Sequence, residues 1–264
     1  MKKLIILFFI IIIILPLTTC ENQWMKDIVS EYVWNIEDFG HDAEVIVINT
    51  TGANLQEQLS SISSASGNYV INVKGSGVIY SNLSLSGDVN VSLRGDGGTI
   101  TMGETGFNLN SNSTLILRDI TLISNGPAIL NVQNGGTVIM EAGSHLTGSG
   151  YGAVVIEGGT FIMNGGSIYG YRNIEFWSTS HVVNINPGTN THFEKNPGAI
   201  IYGNDEPEGL RNTSESGQVI VVKDASGGIS HFRNSTVGAD ETLSITLDGD
   251  VIIQEVGTWD PPWF

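Results

Sequence analysis

Apolar and polar residues recur along this chain with two different periods, and the change from one to the other marks its plan. In "TGANLQEQLSSISSASG" the residues Leu55, Leu59 and Ile62 have the spacing of one helical face. Asn54 stands at the N-cap position, Gln56 and Glu57 occupy the first turn, and Gly67 closes the segment, which predicts a helix over 54–65. Just before it, "EVIVINT" (Glu44 to Thr50) reads as a strand. From Tyr69 onward helical periodicity gives way to short alternating strands separated by Gly and Asn.

The strands repeat. The pattern apolar, any, apolar, polar starts at Ile71 (INVK), Val91 (VSLR), Leu115 (LILR), Val138 (VIME), Phe161 (FIMN) and Val183 (VNIN), at offsets of 20, 24, 23, 23 and 22 residues. A period of this size marks a stacked repeat architecture. Each unit holds three short strands, as in "PAILNVQNGG", "TVIMEAG" and "SHLTGSGY". Ordering a residue costs ~1–2 kcal/mol of backbone entropy, while burying one Ile or Phe returns only ~1.5–3 kcal/mol, so an isolated unit cannot stay folded.

Stacking solves the problem if each strand pairs with the strands about 4.8 Å above and below. The predicted fold is therefore all-β: a right-handed, single-stranded parallel β-helix of three short strands per coil and about six coils, with an N-terminal capping helix and a β-rich C-terminal cover. Val73, Leu93, Leu117, Met140, Met163 and Ile185 are expected to form one inward column. The residues that follow them, Lys74, Arg94, Arg118, Glu141, Asn164 and Asn186, are expected to form a ladder near an outer corner. The expected segments are 1–20 (signal), 21–67 (leading segment and cap), 68–203 (β-helix) and 204–264 (turn-rich junction and C-terminal cap). Strands are expected in "QVIVVKD", "LSITLDGD" and "VIIQEV", and "TWDPPWF" reads as an aromatic plug or a free end.

Composition narrows the function. The 264 residues include 33 glycines and 7 prolines without a Gly-X-Y period, which suits many tight turns rather than collagen. Asp and Glu outnumber Lys and Arg by 27 to 11, so nucleic acid and anionic lipid surfaces are poor partners. The start, "MKKLIILFFIIIIILPLTTC", has the basic, apolar and small-residue order of a secretory signal, and its apolar run is short for a membrane span. Cys20 is the one cysteine, so no internal disulfide forms. With Leu17 three places before it, the segment resembles a bacterial lipoprotein signal, which implies lipid attachment at Cys20. An ordinary cleaved signal and a retained anchor are the alternatives, and Thr19 departs from the usual small residue. Beside such a signal, sequons such as those at Asn82 and Asn234 read as products of composition.

"GGTFIMNGGSIYG", "HFEKNPGAIIYGND" and "VIVVKDASGGISHFRNSTVG" followed by "LD" together resemble the surface lipoproteins of spirochaetes, particularly treponemes. The resemblance spans about Thr114 to Asp248 and departs at "RNIEFWSTS". It implies a right-handed β-helix at the bacterial cell surface or outer membrane, and implies location and fold more than activity.

Candidate chemistry is sparse. "GGSIYG" runs from strand to strand and lacks Gly-Lys-Ser/Thr, so its glycines read as corners rather than a phosphate loop. Arg118, Asp119 and Glu141 fall on adjacent coils and are the weak catalytic candidates, with Asp119 and Glu141 as the nearest approach to a glycosidase pair. The bland alternative is a solvated, charge-balanced ladder. "RGD" at Arg94 to Asp96 reads as a chance match, and His41, His145, His181, His192 and His231 lack metal-ligand spacing. Tyr169, Tyr171, Phe176 and Trp177 would stack on sugars or fill a partner's pocket if outward, and would be core if inward. The expected function is a non-catalytic surface lipoprotein presenting a rigid face to a glycan or protein ligand. It needs no cofactor and no metal, binds no nucleic acid, and meets the membrane through its lipid anchor alone. The alternatives are a polysaccharide lyase or hydrolase and a purely structural or antigenic component.

Overall fold

The computed structural model describes residues 38–39, 43–103, 106–124, 126, 128–148, 153–170, 183–186, 188, 190–202, 220–223, 226, 229–233, 236–248 and 251–252. Two compact units are present, Met1–Ala43 and Glu44–Phe264. In the first, the described residues include one helical pair, Asp38 and Phe39.

The second unit opens with β1 (Val45–Thr51), a 3-10 turn (Gly52–Asn54) and α1 (Leu55–Ile62). Strands then follow in rounds of three. These are β2 (Gly67–Lys74), β3 (Gly77–Ile79) and β4 (Leu83–Leu85), then β5 (Val89–Arg94), β6 (Thr99–Met102) and β7 (Phe107–Leu109), then β8 (Thr114–Arg118), β9 (Thr121–Ser124) and β10 (Leu130–Gln133). Next come β11 (Thr137–Met140), β12 (His145–Gly148) and β13 (Val154–Glu157), then β14 (Thr160–Met163), β15 (Ser167–Gly170) and β16 (Val183–Asn186). The parallel series closes with β17 (Thr191–Lys195), β18 (Ile200–Ile201) and β19 (Ile220–Lys223), and the tail adds β20 (Ile229–Arg233), β21 (Leu243–Asp248) and β22 (Val251–Ile252).

The three strands of each round go to three different sheets. Sheet A runs β1-β2-β5-β8-β11-β14-β17-β21-β22, sheet B β18-β15-β12-β9-β6-β3, and sheet C β20-β19-β16-β13-β10-β7-β4. Pairing from β1 to β19 is parallel throughout, so the chain is a parallel β-helix: five turns carry it from β2 back to sheet A at β17, and β18 and β19 go further. The parallel ladder starts one strand before residue 68 and ends one strand after residue 203. Strands β20, β21 and β22 pair antiparallel.

Like residues stack because the pairing is in register. One inward column of sheet A reads Ile71, Leu93, Leu117, Met140, Met163 and Lys195. This corrects the expected column at both ends. Ile71, not Val73, lies beside Leu93, because β2 is longer than the four-residue pattern and enters two residues out of the expected phase. Ile185 lies in sheet C, beside Ile156 and Val222. The fifth round is longer than the others, so sheet A resumes at Thr191 while the alternating pattern at Val183 belongs to β16. A second column of sheet A carries Val138, Phe161 and Phe193, and the last two rings stack with centroids 5.8 Å apart.

The ends are closed by different means. At the start, α1 places Leu55, Leu59 and Ile62 in the core. Asn54 holds the N-cap position, yet its side chain makes no capping hydrogen bond. The 3-10 turn lies so close to the β2–β3 corner that a Cβ on Gly77 would stand 2.0 Å from the Gly52 carbonyl oxygen. Glycine is required at both positions, and the two segments are locked edge to edge.

At the far end, Lys195 interrupts the apolar column of sheet A between Met163 and Leu243. It is fully buried, and its ammonium donates to the backbone carbonyls of Glu241 and Asn196. The tail strand β21 lies antiparallel against β17, with Leu243 opposite Lys195. A buried charge is tolerable only when hydrogen bonded, so this lysine ties the tail to the last coil. Lys195→Met keeps the volume but leaves those carbonyls without their donor. We predict a loss of about 1–3 kcal/mol, read by hydrogen exchange as faster opening of 243–247 while β5 through β11 stay protected.

A candidate binding face on the outer sheets

Alternation along each strand turns every second residue outward, and in-register stacking converts those residues into rows. On sheet B one outer row reads Val78, Thr101, Ile123, Thr147 and Tyr169. Tyr202 continues it, since the Tyr202 amide donates to the Ile168 carbonyl at 3.0 Å. The rings of Tyr169 and Tyr202 stack with centroids 4.2 Å apart and planes 8° from parallel. Both are half-buried. Tyr169 is therefore outward, and its neighbour Ile168 is the core residue. Tyr171, Phe176, Trp177 and Cys20 lie outside the described residues.

The neighbouring outer row of sheet B is Thr99, Thr121, His145, Ser167 and Ile200. His145 Nδ1 lies 2.6 Å from Ser167 Oγ. A serine nucleophile needs a base held by a third group. Among the described residues no carboxylate holds the far nitrogen of His145, and this contact is a rung of the ladder.

Sheet A carries the predicted charged residues. Asn72, Arg94 and Arg118 are in register, and Glu141, Asn164 and Asn196 follow on successive coils. Lys74 and Asn186 are thus not members of this ladder, for the reasons of phase that displaced Val73 and Ile185. Its rungs are hydrogen bonded. Asn164 Nδ2 donates to Glu141 Oε1 at 2.9 Å, and Asn196 Nδ2 reaches Asn164 Oδ1 at 2.9 Å and Glu194 Oε1 at 2.8 Å. His192 extends the series, 3.5 Å from Glu194 Oε2 and 2.8 Å from Thr246 Oγ1.

The structure does bring Arg118, Asp119 and Glu141 to one corner. Arg118 and Glu141 are half-buried on adjacent coils, and Asp119 is exposed just beyond Arg118. Asp119 is left-handed, with φ of 49°, and its carboxylate lies over Gly143, where a Cβ would fall 2.0 Å from Oδ1. Short corners flank them, Gly95–Gly98 before and Glu141–Ser144 after, and neither builds a wall around a substrate. Glu141 is committed to Asn164. Nor is "RGD" a free loop: Arg94 is buried with Nε donating to Ser92, and Asp96 Oδ1 accepts the Gly75 amide. Among the described residues, no group of three or more His, Cys, Asp or Glu side chains is placed to hold a metal ion.

Two features escape a reading of the sequence alone. The Tyr169–Tyr202 pair is separated by 33 residues across the long fifth round, so no constant period links them. The amide ladders Asn49–Asn72, Asn68–Asn90 and Asn108–Asn131, each closed by an Nδ2 to Oδ1 bond of 2.9–3.0 Å, become visible only once the register is known. The chain matches no protein-family model, no curated protein and no solved structure. For the ladder, Asn164→Leu removes the link between Glu141 and Asn196. A loss of about 0.5–1.5 kcal/mol in unfolding free energy is expected, measured by denaturant titration, with no change in the far-ultraviolet spectrum of the folded protein.

Proposed function

We propose that this chain is a non-catalytic bacterial surface lipoprotein of the spirochaete type, held to the cell envelope by lipid on Cys20, whose β-helix presents a rigid face for binding. The observation that carries the reading is the outer row of sheet B, which leads through Ile123 and Thr147 to the stacked Tyr169–Tyr202 pair. Rings fixed in a ladder have already lost the rotamer freedom that binding would otherwise cost. They offer hydroxyls and apolar faces to a sugar or to a protein side chain. The acidic balance of 27 to 11 disfavours nucleic acid as the partner.

A polysaccharide lyase or hydrolase is the second reading, favoured only by the shared corner of Arg118, Asp119 and Glu141. The engagement of Glu141 by Asn164 and the shortness of the described corners on either side weigh against it.

Two experiments test the proposal. In the first, the full chain is applied to panels of immobilised glycans and extracellular-matrix proteins and assayed for turnover of acidic polysaccharide with and without Ca²⁺. Tyr169→Ala and Tyr202→Ala should each weaken capture by about tenfold or more, with no turnover detected. Turnover that disappears in Asp119→Ala would overturn the non-catalytic reading. In the second, detergent phase partitioning compares the parent with Cys20→Ser. The parent should enter the detergent phase and the variant the aqueous phase; equal partitioning rejects the lipid anchor.

A further inference from the structure

A shallow concavity of about 610 Å³ lies where β1, the 3-10 turn, α1 and β2 meet. That volume falls within the ~300–1,000 Å³ of small-ligand sites. Strand β1 supplies Asn49 and Thr50, the turn and helix supply Asn54 and Gln58, and β2 supplies Asn72 and Lys74. We propose that this concavity binds a sugar bearing a single carboxylate, a uronic or sialic acid at the end of a neutral glycan. The inference rests on the binding reading above and gives it a second, independent site with a defined ligand chemistry.

The residues of the lining all carry polar side chains, and their chemistry is one-sided. Three asparagines and a glutamine offer amide donors and acceptors, and Thr50 and Thr51 offer hydroxyls; among the described residues Lys74 supplies the sole charge and no carboxylate lines the concavity. Sugar hydroxyls donate and accept at once, which is what amides answer. An ammonium adds a charge-assisted bond to a carboxylate. Lys74 is exposed, and among the described residues no carboxylate pairs with it. In a chain with 27 acidic side chains, an unpaired cation beside four amides is a specific feature rather than a share of a charged surface.

The groups are also prepared for a ligand. Asn72 Nδ2 donates to Asn49 Oδ1 at 2.9 Å, which orients both amides and leaves the Asn49 amide hydrogens and the Asn72 carbonyl to be used. Asn54 stands at the N-cap position but gives its side chain to no capping bond. The Gly52–Gly77 contact holds the turn against the corner that follows Lys74, so the two sides of the concavity are fixed relative to one another. Net charge selects the ligand further. At −16 the chain repels a polyanion, whereas a monoanionic sugar engages Lys74 at contact range, inside the ~8 Å screening length of physiological salt.

Calorimetric titration of the full chain in detergent tests this, with sialyllactose and an aldobiouronic acid as single-carboxylate probes, lactose as the neutral control and heparin as the polyanion. At least one acidic probe should bind more tightly than lactose, and the one that does identifies the acid. Lys74→Gln should weaken that probe by about tenfold or more and abolish the preference over lactose. Asn54→Ala should weaken it without changing the melting temperature, a pattern that a purely structural asparagine would not give. Equal binding of acidic probes and lactose by the parent, heparin outcompeting both, or a preference that survives Lys74→Gln overturns the inference. If acidic sugars fail while Tyr169-dependent capture on the panels persists, this site alone is rejected; if both fail, the binding reading falls with it.

Discussion

Everything in this molecule depends on parallel strands stacking in register. No round of three short strands holds enough apolar surface to order itself, so each borrows a floor and a ceiling from its neighbours. That arrangement demands that each position of a coil resemble the same position above and below. Leu117, Met140 and Met163 satisfy the demand inside; Asn68 and Asn90, or Asn108 and Asn131, satisfy it outside. The amide ladders convert a requirement of the core into order on the surface, because each pair is joined by a hydrogen bond that orients both side chains.

The same rule leaves the two ends as the difficult places. An open solenoid end would show unpaired strand edges and an uncovered core. The beginning is covered by the apolar face of α1 and by β1, which already belongs to sheet A. The finish reverses strand direction, with β20, β21 and β22 running antiparallel. Both places also break the repeat in composition, and the concavity with Lys74 lies at one of them.

The sequence made the β-helix legible because the period of about 23 residues is a direct image of one coil. The alternation within β8, β11 and β14 identified their inward residues without error. What it did not carry was phase. Val73 matched the local pattern as well as Ile71 did, and only the pairing with β5 decides between them. Val183 opened a strand of the right type in a different sheet, because a longer fifth round lets the same local pattern serve sheet C. The candidate site suffered for the same reason. Tyr169 was identifiable as an aromatic, but its partner Tyr202 and its outward direction follow from register. Asn54 had the chemistry of a cap, but its backbone is already helical and its side chain makes no capping bond.

Lys195 adds a consequence of its own. In a stack built from interchangeable layers, nothing in a single layer says how many there should be, and a copy of the last coil could in principle seed another, either in the same chain or from a second molecule. A cation set within an aliphatic column, between Met163 and Leu243, works against that freedom. The edge that a further parallel layer would need is already taken by antiparallel β21, with Leu243 opposite Lys195, and the lysine pins that strand through the Glu241 carbonyl. The lysine thus helps to keep a shape prone to endless growth finite, by holding in place the strand that ends the stack.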